Sequence, residues 1–208
     1  MNNIYDNGVV ILDFGSQYTQ LIARRVREQN VYSEIMPPDT SLNKILSQDP
    51  AAIILSGGPS SIYEQNAPDF DHNIIDSELP ILGICYGLHL LTHYNGGQVS
   101  STGEGEYGFA EIDIQSEDGL FTDVKSSKVW MSHGDQVSKV PDEWEVSAYS
   151  SNGVVAAMTN KEKGLVATQF HPEVHHTPEG NKMLANFLFE IADCFSNWTA
   201  GNFIKEQI

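Results

Sequence analysis

Leu79-Pro80-Ile81-Leu82 runs into Gly83-Ile84-Cys85-Tyr86-Gly87, which runs directly into Leu88-His89-Leu90-Leu91-Thr92-His93-Tyr94. The first stretch reads as a buried strand, and the last as a helix that Asn95-Gly96-Gly97 stops. A strand that hands over to a helix without a loop confines the chain to a few architectures, all with helices packed on a sheet. The two glycines suit a turn too tight for side chains on either side of Cys85. G-x-C-x-G at such a junction is the cysteine form of the nucleophile elbow. There the sulfur stands above the sheet, and the N-terminus of the following helix offers free N–H groups. Its positive dipole end lowers a thiol pKa and can hold an oxyanion. The same residues also suit a buried structural cysteine between turn glycines, so the rest of the chain has to decide.

With 208 residues there is room for one sizeable α/β domain with a full core. A net charge of −17 repels phosphates, which argues against duplex nucleic acid and against an anionic membrane surface. No apolar run approaches the ~20 residues that span a bilayer, and Met1-Asn2-Asn3 opens no signal peptide. Two cysteines, Cys85 and Cys194, offer no disulfide framework, and a reduced, cytoplasmic setting is the simple inference. No internal repeat or low-complexity tract divides the chain.

Val9 to Phe14 is a nearly continuous apolar run, as in a parallel strand covered on both faces. A helix over Gln17 to Gln29, a strand over Val31 to Met36, a short helix around Leu42, Ile45 and Leu46, and a strand over Ala51 to Leu55 follow. Their short connections predict a mainly parallel open sheet. After Gly97 the pattern alternates. Tyr107 to Gln115, Val129 to Met131, Glu145 to Tyr149 and Val154 to Met158 read as antiparallel strands. Leu165 to Phe170 is a further strand, and a last helix is expected from Pro178 to Cys194. The expected fold is therefore three-layer α/β, a mainly parallel open sheet flanked by helices with a mixed or antiparallel extension.

Open α/β sheets bind ligands beyond the carboxyl ends of their strands. The Cys85 elbow, the turn Ser56-Gly57-Gly58-Pro59 and the segment His171-Pro172-Glu173 all fall at such ends. Gly57-Gly58 leaves backbone amides unshielded, as a second oxyanion donor would need, though an ordinary Gly-Pro turn has the same residues. His171 and Glu173 are two apart, so at a strand end they leave one face, and a carboxylate-oriented imidazole is the base a thiol requires.

G-I-C-Y-G followed by Q-F-H-P-E resembles the class I glutamine amidotransferases. Leu55 to Glu64, Val129-Trp130-Met131-Ser132-His133-Gly134-Asp135 and Phe170 to Thr177 narrow the resemblance to the amidotransferase domains of GMP synthases, over nearly the whole chain. The resemblance implies hydrolysis of L-glutamine to glutamate and ammonia through a γ-glutamyl thioester. Cys85 is then the nucleophile, His171 the acid and base, and Glu173 its orienter. The N–H groups of Gly58 and Tyr86 form the oxyanion hole. Ser132, Gly134 and Asp135, with His89, would hold the substrate. It implies no metal and no cofactor for this half-reaction; ATP and magnesium belong only to an ATP-pyrophosphatase (synthase) domain that uses the ammonia to aminate XMP to GMP.

That domain's phosphate-binding Ser-Gly-Gly-x-Asp-Ser loop is missing here, since Ser56-Gly57-Gly58 runs into Pro59. The expected organisation is an amidotransferase domain over 1–196 and the start of a linker over 197–208, with Trp198, Phe203, Ile204 and Ile208 apolar. Two positions depart from the family pattern. His89 stands where Gln is usual, which predicts weaker glutamine binding, and Gly105 stands where a basic residue is common. A stand-alone cysteine γ-glutamyl hydrolase and a catalytically silent interaction module are the alternative readings. A metal site at His171, His175 and His176 is set aside because Pro172 prevents a helix that would align them.

Overall fold

A computed structural model describes residues 7–199. Phe203, Ile204 and Ile208, and the opening Met1-Asn2-Asn3, lie outside the described residues. The chain runs β1 (Val9–Leu12), α1 (Thr19–Glu28), β2 (Ser33–Met36), α2 (Leu42–Leu46), β3 (Ala52–Leu55), β4 (Ile81–Ile84) and α3 (Tyr86–Tyr94). Then come β5 (Gln98–Ile114), β6 (Lys128–Lys139), β7 (Glu145–Ser150), β8 (Val155–Asn160), β9 (Leu165–Thr168) and α4 (Gly180–Asn186). All nine strands form one sheet in the order β2-β1-β3-β4-β9-β8-β7-β5-β6. Pairings from β2 across to β9 are parallel, and those from β9 across to β6 antiparallel. The antiparallel extension is thus as large as the parallel core.

Strand alternation explains the three layers. Val9, Ile11, Ile54, Leu82 and Ile84 pack with Ile22 and Val26 of α1 and with Met183 and Leu184 of α4. Val10, Leu12, Ile53, Leu55 and Ile81 pack on the other face with Ile45 of α2 and with Leu88 and Leu91 of α3. Both faces are covered, which is why these strands have no polar positions.

Several boundaries differ from the sequence expectation. Helix α1 begins at Thr19 rather than Gln17, because Ser16 Oγ accepts the Tyr18 N–H (3.0 Å) and holds the chain in a turn. The last helix does not run on to Cys194. It widens into a π-helical turn over Phe187–Ile191, with the Ala192 N–H donating to Phe187 O (3.0 Å), and Cys194 lies beyond it, buried in the core. Residues 195–198 turn back along α1. The Trp198 N–H donates to Asn30 O (2.9 Å), and the Arg27 guanidinium lies 5.9 Å from the Trp198 ring centre.

Candidate active site

Cys85 joins β4 to α3 with φ 53° and ψ −99°, a positive-φ conformation that costs a non-glycine residue about 1–3 kcal/mol. The flanking glycines are required by close approach. A Cβ on Gly83 would sit 2.7 Å from Gly87 O, and one on Gly87 only 2.4 Å from Leu55 O. The Cys85 N–H donates to Thr168 O (2.7 Å), tying the elbow to the end of β9. Tyr86 is the first residue of α3, so its N–H has no acceptor within the helix.

Strand β9 ends at Thr168, before His171, so strand alternation is not what pairs His171 with Glu173. The chain turns at Pro172 and brings Glu173 Oε1 to 2.8 Å from His171 Nδ1. That turn is held from several sides. The His171 N–H donates to Trp130 O (3.0 Å), and Thr177 Oγ1 bridges His171 O (2.7 Å) and the Trp130 N–H (3.1 Å). Arg25 Nε donates to Glu173 O (3.0 Å), and α4 passes so close that only Gly180 fits against Pro172.

His171 is 4% exposed and Glu173 is fully buried. Burial by itself lowers the imidazole pKa, but the Glu173 carboxylate and the nearby Cys85 sulfur outweigh it and raise it to about 10. The buried Glu173 carboxylate thus favours the imidazolium form. With Nδ1 committed to Glu173, Nε2 is the nitrogen left for sulfur. The edge of the Tyr18 ring, 5.1 Å away between centres, closes another side of the imidazole.

Cys85 and His171 open into a cleft of about 520 Å³ that Gly58, Tyr86, His89, Ser132, Gly134 and Asp135 also line. Of the nine residues singled out in the sequence, only Glu173 does not face the cleft, being behind His171. Ser132 and Gly134 lie within β6 and not in a loop after it, as exposed positions alternating with buried Met131 and His133. Asp135 Oδ2 is buried with no hydrogen-bond partner among the described residues. Gly57-Gly58 lies over Cys85 and His171: a Cβ on Gly57 would meet His171 Cε1 at 3.2 Å and Cys85 Cβ at 3.7 Å, and one on Gly58 would meet Phe14 O at 2.6 Å. Ser56 braces this loop, accepting from the Phe14 N–H (3.0 Å) and donating to Gly57 O (2.9 Å). The arrangement is a thiol, an oriented acid and base, and backbone donors around one open space, as acyl transfer requires.

A family model described as class-I glutamine amidotransferase matches residues 10–191. The chain belongs to the class I glutamine amidotransferases. It is 50% identical over its whole length to the glutamine-hydrolysing GMP synthase of Brachyspira hyodysenteriae, and 46% identical to that of Bacillus pumilus. It spans only 40% and 41% of those proteins and matches their amidotransferase portion. Among solved structures, a Thermoplasma acidophilum protein described as a GMP synthase subunit superposes with a TM-score of 0.79 at 28% identity, covering 96% of each chain. A Thermotoga maritima glutamine amidotransferase shares the fold at a TM-score of 0.71 and 17% identity, covering 90% of this chain and 99% of that one.

Three groups of this amidotransferase's site were not singled out from the sequence. Tyr18 precedes α1 and carries no motif. Gln169 is fully buried, with its amide 3.8 Å from Cys85 Sγ. Glu106 receives His133 Nε2 (3.1 Å), Ser150 Oγ (2.8 Å) and Asn152 Nδ2 (2.7 Å), while His133 Nδ1 meets Asp135 O (2.9 Å). Gly105 has a packing reason: its Cβ would sit 2.1 Å from His133 O, where the β5–β6 register shifts. Of the three histidines weighed for a metal, His171 is committed to Glu173, and His176 stacks on Trp130 at 4.2 Å. Among the described residues no cluster of three or more metal-ligating side chains is found, and no helix is long and apolar enough to cross a membrane.

Proposed function

We propose that this chain is a glutaminase that supplies ammonia to a GMP synthase. Cys85 thiolate attacks the side-chain carboxamide of glutamine. The N–H groups of Gly58 and Tyr86 receive the developing oxyanion, each donor worth about 3–4 kcal/mol in comparable hydrolases. Imidazolium His171 protonates the departing ammonia, leaving a γ-glutamyl thioester on Cys85. Neutral His171 then takes a proton from water as it attacks the thioester, and glutamate leaves. Glu173 keeps His171 in the Nδ1–H form throughout. Asp135, a carboxylate among the residues that line the cleft, suits the α-ammonium group, and Ser132 and Gly134 suit the rest of the amino-acid head. The ammonia goes to a synthase part that uses ATP and magnesium to aminate XMP to GMP, in a cytoplasmic setting. That the Brachyspira and Bacillus GMP synthases are about two and a half times as long as this chain supports a synthase partner.

The observation that carries this reading is the placement of strained Cys85 beside an imidazole whose other nitrogen is held by a buried carboxylate. The test is labelling with 6-diazo-5-oxo-norleucine, followed by peptide mass and glutamate release. The expected result is one adduct on Cys85 and glutamate release that rises when the synthase part is added. Full-rate release with no partner points to a stand-alone hydrolase. No adduct on Cys85 points to a silent module and overturns the reading.

A further inference from the structure

His89 lies one helical turn beyond Cys85, its N–H donating to Cys85 O (3.2 Å). Its ring lines the cleft yet is only 4% exposed, and its Nε2 lies 3.0 Å from Gln169 Oε1. The opposite end of the same amide, Gln169 Nε2, lies 3.8 Å from Cys85 Sγ. The contacts close a loop from the nucleophile through one turn of α3, across to Gln169 and back to the sulfur. The Gln169 main chain is fixed by its N–H to Ala156 O (2.8 Å), so the carboxamide can change its orientation but not its place.

A primary amide has one accepting and one donating end, and what bonds one end decides what the other presents. We propose that His89 is a positioning residue for the nucleophile: it donates to Gln169 Oε1 and thereby turns the Gln169 N–H₂ group toward Cys85 Sγ, where it stabilises the thiolate. The proposal rests on Cys85 being the nucleophile. It gives the departure from the family's Gln at this position a role behind the sulfur rather than against the substrate.

Burial holds the His89 pKa down at about 4, so the ring is neutral at working pH and has a single N–H to give. Asp135 and His133 are the other titratable groups that face the ring, and the Asp135 main-chain carbonyl competes with Gln169 Oε1 for its N–H, with the Gln169 bond the stronger of the two. Around the sulfur lie a donor, Gln169 Nε2, and an acceptor for the thiol proton, Ser132 O, 3.7 Å away. Leucine at 89 removes the donor and frees the amide to rotate its oxygen toward the sulfur, which repels a thiolate. Glutamine at 89 still has an N–H for Gln169 Oε1.

The test is the rate of Cys85 alkylation by iodoacetamide as a function of pH, read by peptide mass with buried Cys194 as comparison. Losing one hydrogen bond to a charged group predicts that His89→Leu and Gln169→Leu each slow alkylation at pH 7 about tenfold and move the midpoint upward. The double variant should be no slower than Gln169→Leu, and His89→Gln should recover most of the rate. A loosened fold would instead raise the reactivity of Cys194. Wild-type alkylation no faster than for a simple thiol, with no diazo-oxo-norleucine adduct, sinks the nucleophile reading itself. A reactive wild-type Cys85 whose profile Gln169→Leu leaves unmoved, or whose double variant shows additive losses, overturns the positioning proposal alone. If His89→Leu fails to fold, Gln169→Leu and His89→Gln still decide between these outcomes.

Discussion

Glu173 accepts from His171 Nδ1 through Oε1 at 2.8 Å, while its buried Oε2 has no hydrogen-bond partner among the described residues. A carboxylate with one satisfied oxygen in a fully buried position is held there by the charge of the imidazolium. Glu173→Gln keeps the shape and removes that charge. Burial then lowers the His171 pKa with only Cys85 opposing it, so the midpoint near 10 moves down. The expected fall in kcat for glutamine hydrolysis is at least about a hundredfold. The pH dependence of Cys85 alkylation checks it, and an unmoved alkaline midpoint contradicts it.

Gly87 and Gly57 face different neighbours, and alanine separates their roles. At Gly87 the added Cβ meets backbone at 2.4 Å, so the helix must shift from β3. A loss of about 1–3 kcal/mol is expected, read as a lower denaturation midpoint. At Gly57 the nearest atom is His171 Cε1 at 3.2 Å, part of a side chain that can give way. Gly57→Ala should leave the melting temperature nearly unchanged and lower kcat about tenfold, because small misplacements of a reacting group are costly.

How much of this was readable in the sequence follows from what each feature depends on. Strands β1, β3 and β4 were legible because both faces are buried, which leaves an unbroken apolar run. The elbow was legible because its glycines answer a collision between residues 83 and 87, close in sequence. Gln169 and Glu106 were not, since their partners are 84 and 27 residues away and only the folded sheet brings them together. The widening of the last helix at Phe187 left no mark on its apolar spacing, because the same side chains still face the core.

Glu106 and Asp135 should act on binding more than on chemistry. Glu106 holds His133, and His133 holds Asp135 O, so the strand bearing Ser132, Gly134 and Asp135 is braced from behind. Asp135→Asn removes the negative charge that the proposed function assigns to the substrate ammonium. It is expected to raise KM for glutamine about tenfold or more, with a smaller change in kcat. Glu106→Gln should move KM in the same direction by less, since the brace is weakened and the cleft group retained. Steady-state kinetics checks both, and a kcat effect larger than the KM effect at Asp135 counts against its placement on the amino-acid head.

His89 and His171 pull the pH dependence of stability in opposite directions, in separate windows. The His89 pKa is lowered by burial from 6.5 to about 4, so between those values the unfolded chain binds more protons than the folded one. Its contribution is present above pH 6.5 and is lost as pH falls toward 4, by about 3 kcal/mol in all. His171 is raised to about 10, so its contribution is present below pH 6.5 and is lost as pH rises through 10. Denaturant unfolding at pH 7, 5.5 and 4.5 should show a decline that His89→Gln, which has nothing to protonate, reduces. If that variant and the wild type fall in parallel across this range, burial of a neutral His89 is not what makes the fold acid-sensitive.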